Sequence, residues 1–334
     1  MCRLSKYFFL ILLLCHVALS ASAQEPFRVM FYNVENLFDT EDDPQKDDDE
    51  FLPEGIRRWS RYRYKDKISK IARVILASGG EQVPDLVGLC EVENDTCLRD
   101  MVKYSPLREA GYRYVITDSP DERGIDVALL YQRSTFKLIE RQSISVPLKD
   151  RPTRDILHVA GRVLSGDTLD VLVCHFPSRS GREKKSEPRR MAASRRLKAT
   201  VDSLMQVRRH PYLIIMGDFN DRPDNRPVKR LTANRLRNLQ EGKPEGTYRY
   251  RGHWETLDQL IVSESLLEEE SRIHTSPERA VILRYDFLLE EDDKYGGMKP
   301  FRTYNGMKHQ DGYSDHLPIA VDLTIRDGRD CCSE

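Results

Sequence analysis

The feature that most constrains this chain is a recurrence: short apolar runs, each meeting a carboxylate, amide or imidazole at one end. Phe27–Val34 ends in Asn33-Val34-Glu35-Asn36, and Leu86–Leu89 runs into Cys90-Glu91-Val92-Glu93-Asn94. Val171–Cys174 runs into His175-Phe176-Pro177-Ser178, and Tyr212–Met216 into Gly217-Asp218-Phe219-Asn220. Ser314-Asp315-His316-Leu317-Pro318 opens the run Ile319–Ile325. One such end is an ordinary Asx turn. Repeated along the chain, the pattern reads as strands delivering polar groups to one common edge. Asp218 and Asn220 stand two apart, so extended backbone turns both toward the same side. Asp258 lies inside the apolar run Leu257–Val262, where an unpaired carboxylate is costly, so a donor partner is expected.

Further strand-like runs cover Tyr112–Thr117, Asp126–Gln132, Ile156–Leu164, Thr247–Arg251 and Ala280–Phe287. Phe27, Val29 and Phe31 alternate as in a half-buried strand, whereas Val171–Val173 and Leu213–Ile215 are apolar throughout and read as buried on both faces. Two helical stripes separate them. Ile68, Ile71, Ala72, Ile75 and Leu76 share one face within Trp59–Ser78, stopped by Gly79-Gly80. Ala193, Leu197, Val201 and Leu204 do the same within Glu187–Val207. Many strands with few helices predict an α/β protein of two packed sheets with helices outside.

The N-terminus stands apart from this pattern. Arg3 and Lys6 precede the apolar stretch Tyr7–Leu14, and Ala21-Ser22-Ala23 supplies small residues for cleavage. Residues 1–23 therefore read as a signal peptide, leaving 24–326 as one catalytic domain and 327–334 as a tail. The competing reading, a lipoprotein anchored at Cys15, is disfavoured by the bulky Leu14 before it. The expectation is an exported, periplasmic or secreted, monomeric protein with no transmembrane segment. Charge is balanced at 53 basic and 54 acidic residues, which excludes a polybasic nucleic-acid coat but leaves room for a local basic groove. The cysteines beyond the leader are odd in number and lack the paired spacing of a disulfide scaffold or a structural zinc site.

Taken in order, Asn-x-Glu, a strand-ending Glu, His after a strand, Gly-Asp-Phe-Asn, Leu-Asp and Ser-Asp-His-Leu-Pro resemble the endonuclease/exonuclease/phosphatase superfamily, the deoxyribonuclease-I-like fold. The resemblance runs from Phe27 to about Ile325. It implies a four-layered α/β/β/α sandwich, with two mixed, mostly antiparallel sheets face to face, and a divalent-metal-dependent phosphoesterase. The oxygen-rich donor set fits Mg²⁺, with Mn²⁺ or Ca²⁺ as alternatives. Glu91 is expected as the principal metal carboxylate, with Asn33, Glu35 and Asp315 ligating or nearby. His316 is the candidate general base and, by the resemblance, Asp258 orients it; Asp218 is the alternative activator of the attacking water. Asn220 and His175 are expected to donate to the phosphate, with Asp126 supporting His175.

The basic segment Arg179–Lys198 suggests phosphate contacts from Arg179 and Arg189, although much of it is a solvated helix face. A nuclease acting on nucleic acid is the leading expectation. The alternative is a phosphodiesterase or phosphatase acting on a phospholipid head group, an inositol phosphate or another small phosphate ester. A binding protein without catalysis is the reading from another class, and the full set of carboxylates and histidines argues against it. The acidic run Glu41–Glu50 reads as a solvated loop.

Overall fold

The computed structural model describes residues 26–148, 150–179 and 183–326, so the expected leader and tail lie outside the described residues. In chain order the principal elements are β1 (Phe27–Leu37), α1 (Arg61–Gly79), β2 (Leu86–Val92), α2 (Asp95–Tyr104), β3 (Arg113–Ile116), β4 (Asp126–Tyr131), β5 (Lys137–Ile144) and β6 (Ile156–Arg162). They continue with β7 (Thr168–His175), α3 (Glu183–Val207), β8 (Tyr212–Asp218), α4 (Arg226–Leu231), β9 (Leu236–Asn238), β10 (Tyr248–Tyr250), β11 (His253–Glu255) and β12 (Asp258–Ser263). The last are β13 (Ile273–His274), β14 (Ala280–Ile282) and β15 (Ile319–Ile325).

Two mixed sheets carry the fold. One has the order β13-β15-β1-β2-β4-β3, with β14 also pairing β15, and the other β5-β6-β7-β8-β12-β9. Most neighbours are antiparallel, but β1 with β2 and β7 with β8 run parallel. Alternation sorts the side chains into layers. Val29, Phe31, Val127 and Leu129 of the first sheet meet Val171, Val173, Ile214 and Met216 of the second in a shared core. The opposite face of the first sheet packs on Ile68, Ile71 and Ile75 of α1 and Leu98 and Met101 of α2. That of the second packs on Ala193, Leu197 and Val201 of α3 and Val228 of α4. The expected four-layered α/β/β/α sandwich is therefore formed. The sheets approach closely at Gly88, where a Cβ would lie 2.7 Å from Met216 Sδ.

Several elements have no counterpart in the sequence reading, β5 and α2 among them. Strand β5 is an edge strand with only Ile144 buried, so it lacks the apolar alternation that marks a half-buried strand. Helix α2 is short and begins where Asn94 Oδ1 accepts from Cys97 N. Conversely, the run Ala280–Phe287 is strand only to Ile282 and then turns into a short 3₁₀ segment.

The parallel pairs create the functional edge. Parallel neighbours end together, so β1 and β2 deliver Asn33 and Glu91 side by side, and β7 and β8 place His175 opposite Asp218. Antiparallel β12 sets Asp258 opposite Asp218 from the other side. Neighbouring strands lie about 4.8 Å apart, so His175, Asp218 and Asp258 form one row across the second sheet.

Just behind this edge, Asp39 N donates to Glu93 Oε2 at 2.6 Å, and Asn94 Nδ2 donates to Asp39 Oδ2. Burial, then the Asp39 carboxylate, push Glu93 from 4.5 up to about 8. The folded chain thus keeps a proton that the unfolded chain gives up at lower pH, and this contribution to stability is lost as pH rises toward about 8. Glu93→Gln removes the ionisation while keeping the acceptor. The thermal midpoint of Glu93→Gln relative to wild type is expected to climb from about pH 5 to about pH 8 and then level off. A pH-independent difference between the two melting curves would contradict this account.

Candidate active site

The site begins with two bent strand ends. The pairing of β1 with β2 shifts register between Asn33 and Leu37, and that of β2 with β4 between Cys90 and Val92. Glu35, Asn36 and Glu91 lie in the left-handed region at φ 50°, 56° and 63°. Such a conformation costs about 1–3 kcal/mol per non-glycine residue. Local hydrogen bonds offset it: Glu35 N donates to Asn33 Oδ1 at 2.9 Å and Asn36 N to Glu91 Oε2 at 3.0 Å. Asn220, at φ 49°, repeats the device at the end of β8, donating its N–H to Asp218 Oδ1 at 2.8 Å.

These bends fix what each side chain presents. Asn33 Oδ1 is taken by Glu35, so its amide nitrogen points inward, 3.1 Å from Asp218 Oδ2 and 3.3 Å from Glu91 Oε1. Asn33, expected near the metal, is here a donor between two carboxylates. Glu35 also departs from its expected role, because its oxygens accept from Thr303 N at 2.6 Å and Tyr304 N at 3.4 Å. It anchors the loop that leads to Asp315.

Two histidines face Asp218 in contrasting surroundings. His316 Nδ1 donates to Asp258 Oδ2 at 2.8 Å, and its Nε2 lies 3.8 Å from Asp218 Oδ2. Burial disfavours the imidazolium, but Asp258 and then Asp218 outweigh it and hold His316 well above the ordinary histidine value. His175 Nε2 lies 3.7 Å from Asp218 Oδ2 and 3.8 Å from Glu91 Oε1. Burial, with Arg154 and Arg123, pushes His175 well below the ordinary value, so its ring is neutral. Its Nδ1 is buried without a partner. Burial raises Asp218 to about 7, against the opposing pull of His316.

The remaining expected residues divide. Asp315 Oδ2 accepts from Arg302 Nη2 at 2.8 Å, and Arg302 Nε is 3.5 Å from Glu35. Asn220 Nδ2 donates to the Phe176 carbonyl at 3.1 Å, leaving one amide proton for a ligand. Arg179 reaches the site rim but is committed to the Asn220 carbonyl at 2.7 Å and to Glu255 at 2.9 Å. Arg189 lies farther off, paired with Asp150 at 2.5 Å. Asp126 does not support His175; its carboxylate is enclosed by Thr117 and Ser119, including Ser119 N at 3.1 Å.

The sequence reading also passed over Lys67, Arg302, Tyr248 and Ser314. Lys67, fully buried on α1, donates to Thr303 Oγ1 and to the Tyr313 carbonyl and balances Glu35 and Asp315. Its signal was present: a lysine one position before Ile68, inside the apolar stripe. Ser314 Oγ donates to the Asn33 carbonyl at 2.7 Å and accepts from His316 N, tying the end of the chain to its first strand. Tyr248 forms a backbone bridge to His316, with their rings 5.0 Å apart.

Lys67 and Arg302 serve Glu35 and Asp315, whereas no Lys or Arg among the described residues forms an ion pair with Glu91 or Asp218. Two carboxylates that share the Asn33 amide and lack a basic partner suit a hard divalent cation. Lys67→Met would leave Glu35 buried beside Asp315 without its ammonium partner. A loss of about 3–5 kcal/mol in urea unfolding is expected; a loss below about 1 kcal/mol would show that Lys67 is not the counter-ion of this cluster.

With this geometry in hand, the chain belongs to the Endonuclease/Exonuclease/phosphatase family, whose model matches residues 28–325. No curated protein sequence matches it. The fold is similar to the human Nocturnin catalytic domain solved with a bound sulfate anion (19% identity, 90% of this chain and 93% of that one, TM-score 0.57). It is similar to D. rerio TDP2 complexed with a single-strand DNA product (12% identity, 90% and 100%, TM-score 0.57). A mannosyl-6-phosphatase of Bacteroides thetaiotaomicron is similar to the same degree (16% identity, 90% and 100%, TM-score 0.56). At these identities the likeness is one of fold.

Proposed function

We propose that this chain is an exported, monomeric, metal-dependent phosphoesterase that hydrolyses phosphodiester bonds, with nucleic acid as its substrate class and residues 24–326 as the catalytic domain. One observation carries the reading: Glu91 and Asp218, neither paired with a Lys or Arg among the described residues, flank neutral His175, and cationic His316 faces Asp218. Glu91 would hold the cation, with Asp315 as a further carboxylate. Bound there, Mg²⁺ (or Mn²⁺ or Ca²⁺) neutralises a phosphate oxygen and the charge developing on the leaving group.

The protein's own groups supply the rest. A base works best with a proton affinity near the working pH, and Asp218 at about 7 meets that condition. We therefore place water activation on Asp218 rather than on His316. His316, kept as imidazolium by Asp258, donates to a non-bridging oxygen and receives support as negative charge grows. Neutral His175 and the free amide proton of Asn220 hold the phosphate in line.

A rival substrate, a phospholipid head group or small phosphate ester, is favoured by one feature: Arg179 and Arg189 are both spent on carboxylates. Linear DNA, RNA, sphingomyelin and bis-p-nitrophenyl phosphate, each assayed with Mg²⁺, separate the two. Asp218→Asn and His316→Ala are each expected to lower kcat/KM by about 10²–10⁴-fold on the active substrate, and EDTA to abolish turnover. Full activity in EDTA, or in Asp218→Asn, would sink the proposal; turnover of lipid or small ester alone would transfer it to the rival class.

A further inference from the structure

A cleft of about 210 Å³ opens beside the candidate site, and four arginines line it: Arg123, Arg151, Arg154 and Arg189. Asp121 is the one carboxylate in its wall, and Glu122 and Asp150, which pair with Arg151 and Arg189, stand outside the lining. Arg123 is the least neutralised, with Nε 3.9 Å from Asp121. Arg154 is buried and anchored by Asp121 at 3.0 Å, yet its Nε has no partner; neighbouring Thr153 Oγ1 is likewise buried and unpartnered. Orphaned buried donors are uncommon in a folded chain and point to a ligand that completes them.

The cleft is wired to the reaction centre. Arg154 Nη2 donates at 2.7 Å to the Phe176 carbonyl, the same oxygen that receives the Asn220 amide. Ser178, in the cleft wall, lies only three residues past His175, no more than about 10 Å along the chain. Guanidinium forks match the oxygens of a phosphate and bind them with charge-assisted hydrogen bonds.

We infer that this cleft is a subsite for a second phosphate of the substrate, so that the enzyme selects molecules carrying two phosphates over those carrying one. The inference rests on the phosphoesterase reading of the neighbouring site. The second phosphate comes either from the next linkage of an oligonucleotide or from a separate ester on a small molecule.

The experiment has two parts. kcat/KM is measured on a dinucleotide with and without a terminal phosphate, and on a sugar bisphosphate against the matching monophosphate. Wild type is compared with Arg123→Ala, Arg151→Ala and, as a distant control, Arg226→Ala. Wild type and the control are expected to prefer the two-phosphate member of one pair by about tenfold or more, and Arg123→Ala to erase most of that preference. The pair that shows the effect identifies the source. Calorimetry of inorganic pyrophosphate binding to wild type and the double variant Arg123→Ala/Arg151→Ala, both in EDTA, gives a readout without turnover, and about tenfold weaker binding to the variant is expected.

No preference in wild type, a preference that survives Arg123→Ala, or equal pyrophosphate binding by the two proteins would overturn the subsite. Absence of hydrolysis on every substrate would instead overturn the phosphoesterase reading, while the calorimetry still decides whether the cleft binds phosphate.

Discussion

The hydrogen bond from His316 to Asp258 is the contact on which the arrangement of the edge depends. His316 comes from the approach to β15 in one sheet, and Asp258 opens β12 in the other. Both groups are almost fully buried, so the pair is shielded from water and strong, and removing either partner would strand the other. Through it the seam between two sheets becomes a fixed distance. Asp218, beside Asp258 in register, and Asn33, beside Cys90 in register, then face each other across that seam at hydrogen-bonding range.

Strain is the second organising element. A regular β1 or β2 would continue its alternation and give each polar residue the direction set by its parity. The left-handed residues Glu35, Asn36, Glu91 and Asn220 break parity where polar groups must converge. Their cost is met locally by side chains that accept from the bent backbone, notably Asn33, Glu91 and Asp218. The same carboxylates and amides thus serve as caps for the bends and as the functional groups that the bends aim.

Two packed sheets with helices outside were legible because apolar runs and stripes are local signals, and the four-layered sandwich followed from the family resemblance. A partner for Asp258 was legible too, since a carboxylate in an apolar run demands one. Directions were not legible. Asn33 and Glu35 were placed near the metal by residue type, but the direction of the Asn33 amide is set by one hydrogen bond from Glu35 N, and a loop near residue 303 holds Glu35. Asp126 was misread for a similar reason: its enclosing hydroxyls at positions 117 and 119 look like ordinary loop residues. Edge strand β5 escaped because exposure erases the alternation by which strands are recognised.

The bond between Ser314 and the Asn33 carbonyl spans 281 positions of sequence. Closing so long a loop costs entropy that grows only with the logarithm of its length, so the finished fold tolerates it. Its order of assembly is less forgiving. A chain emerging from its N-terminus completes β1 early, yet Ser314, which holds that strand's polar end, arrives only on the approach to β15. Throughout synthesis the candidate centre therefore lacks His316 and the serine that secures it. The candidate centre is therefore completed late, by virtue of topology alone.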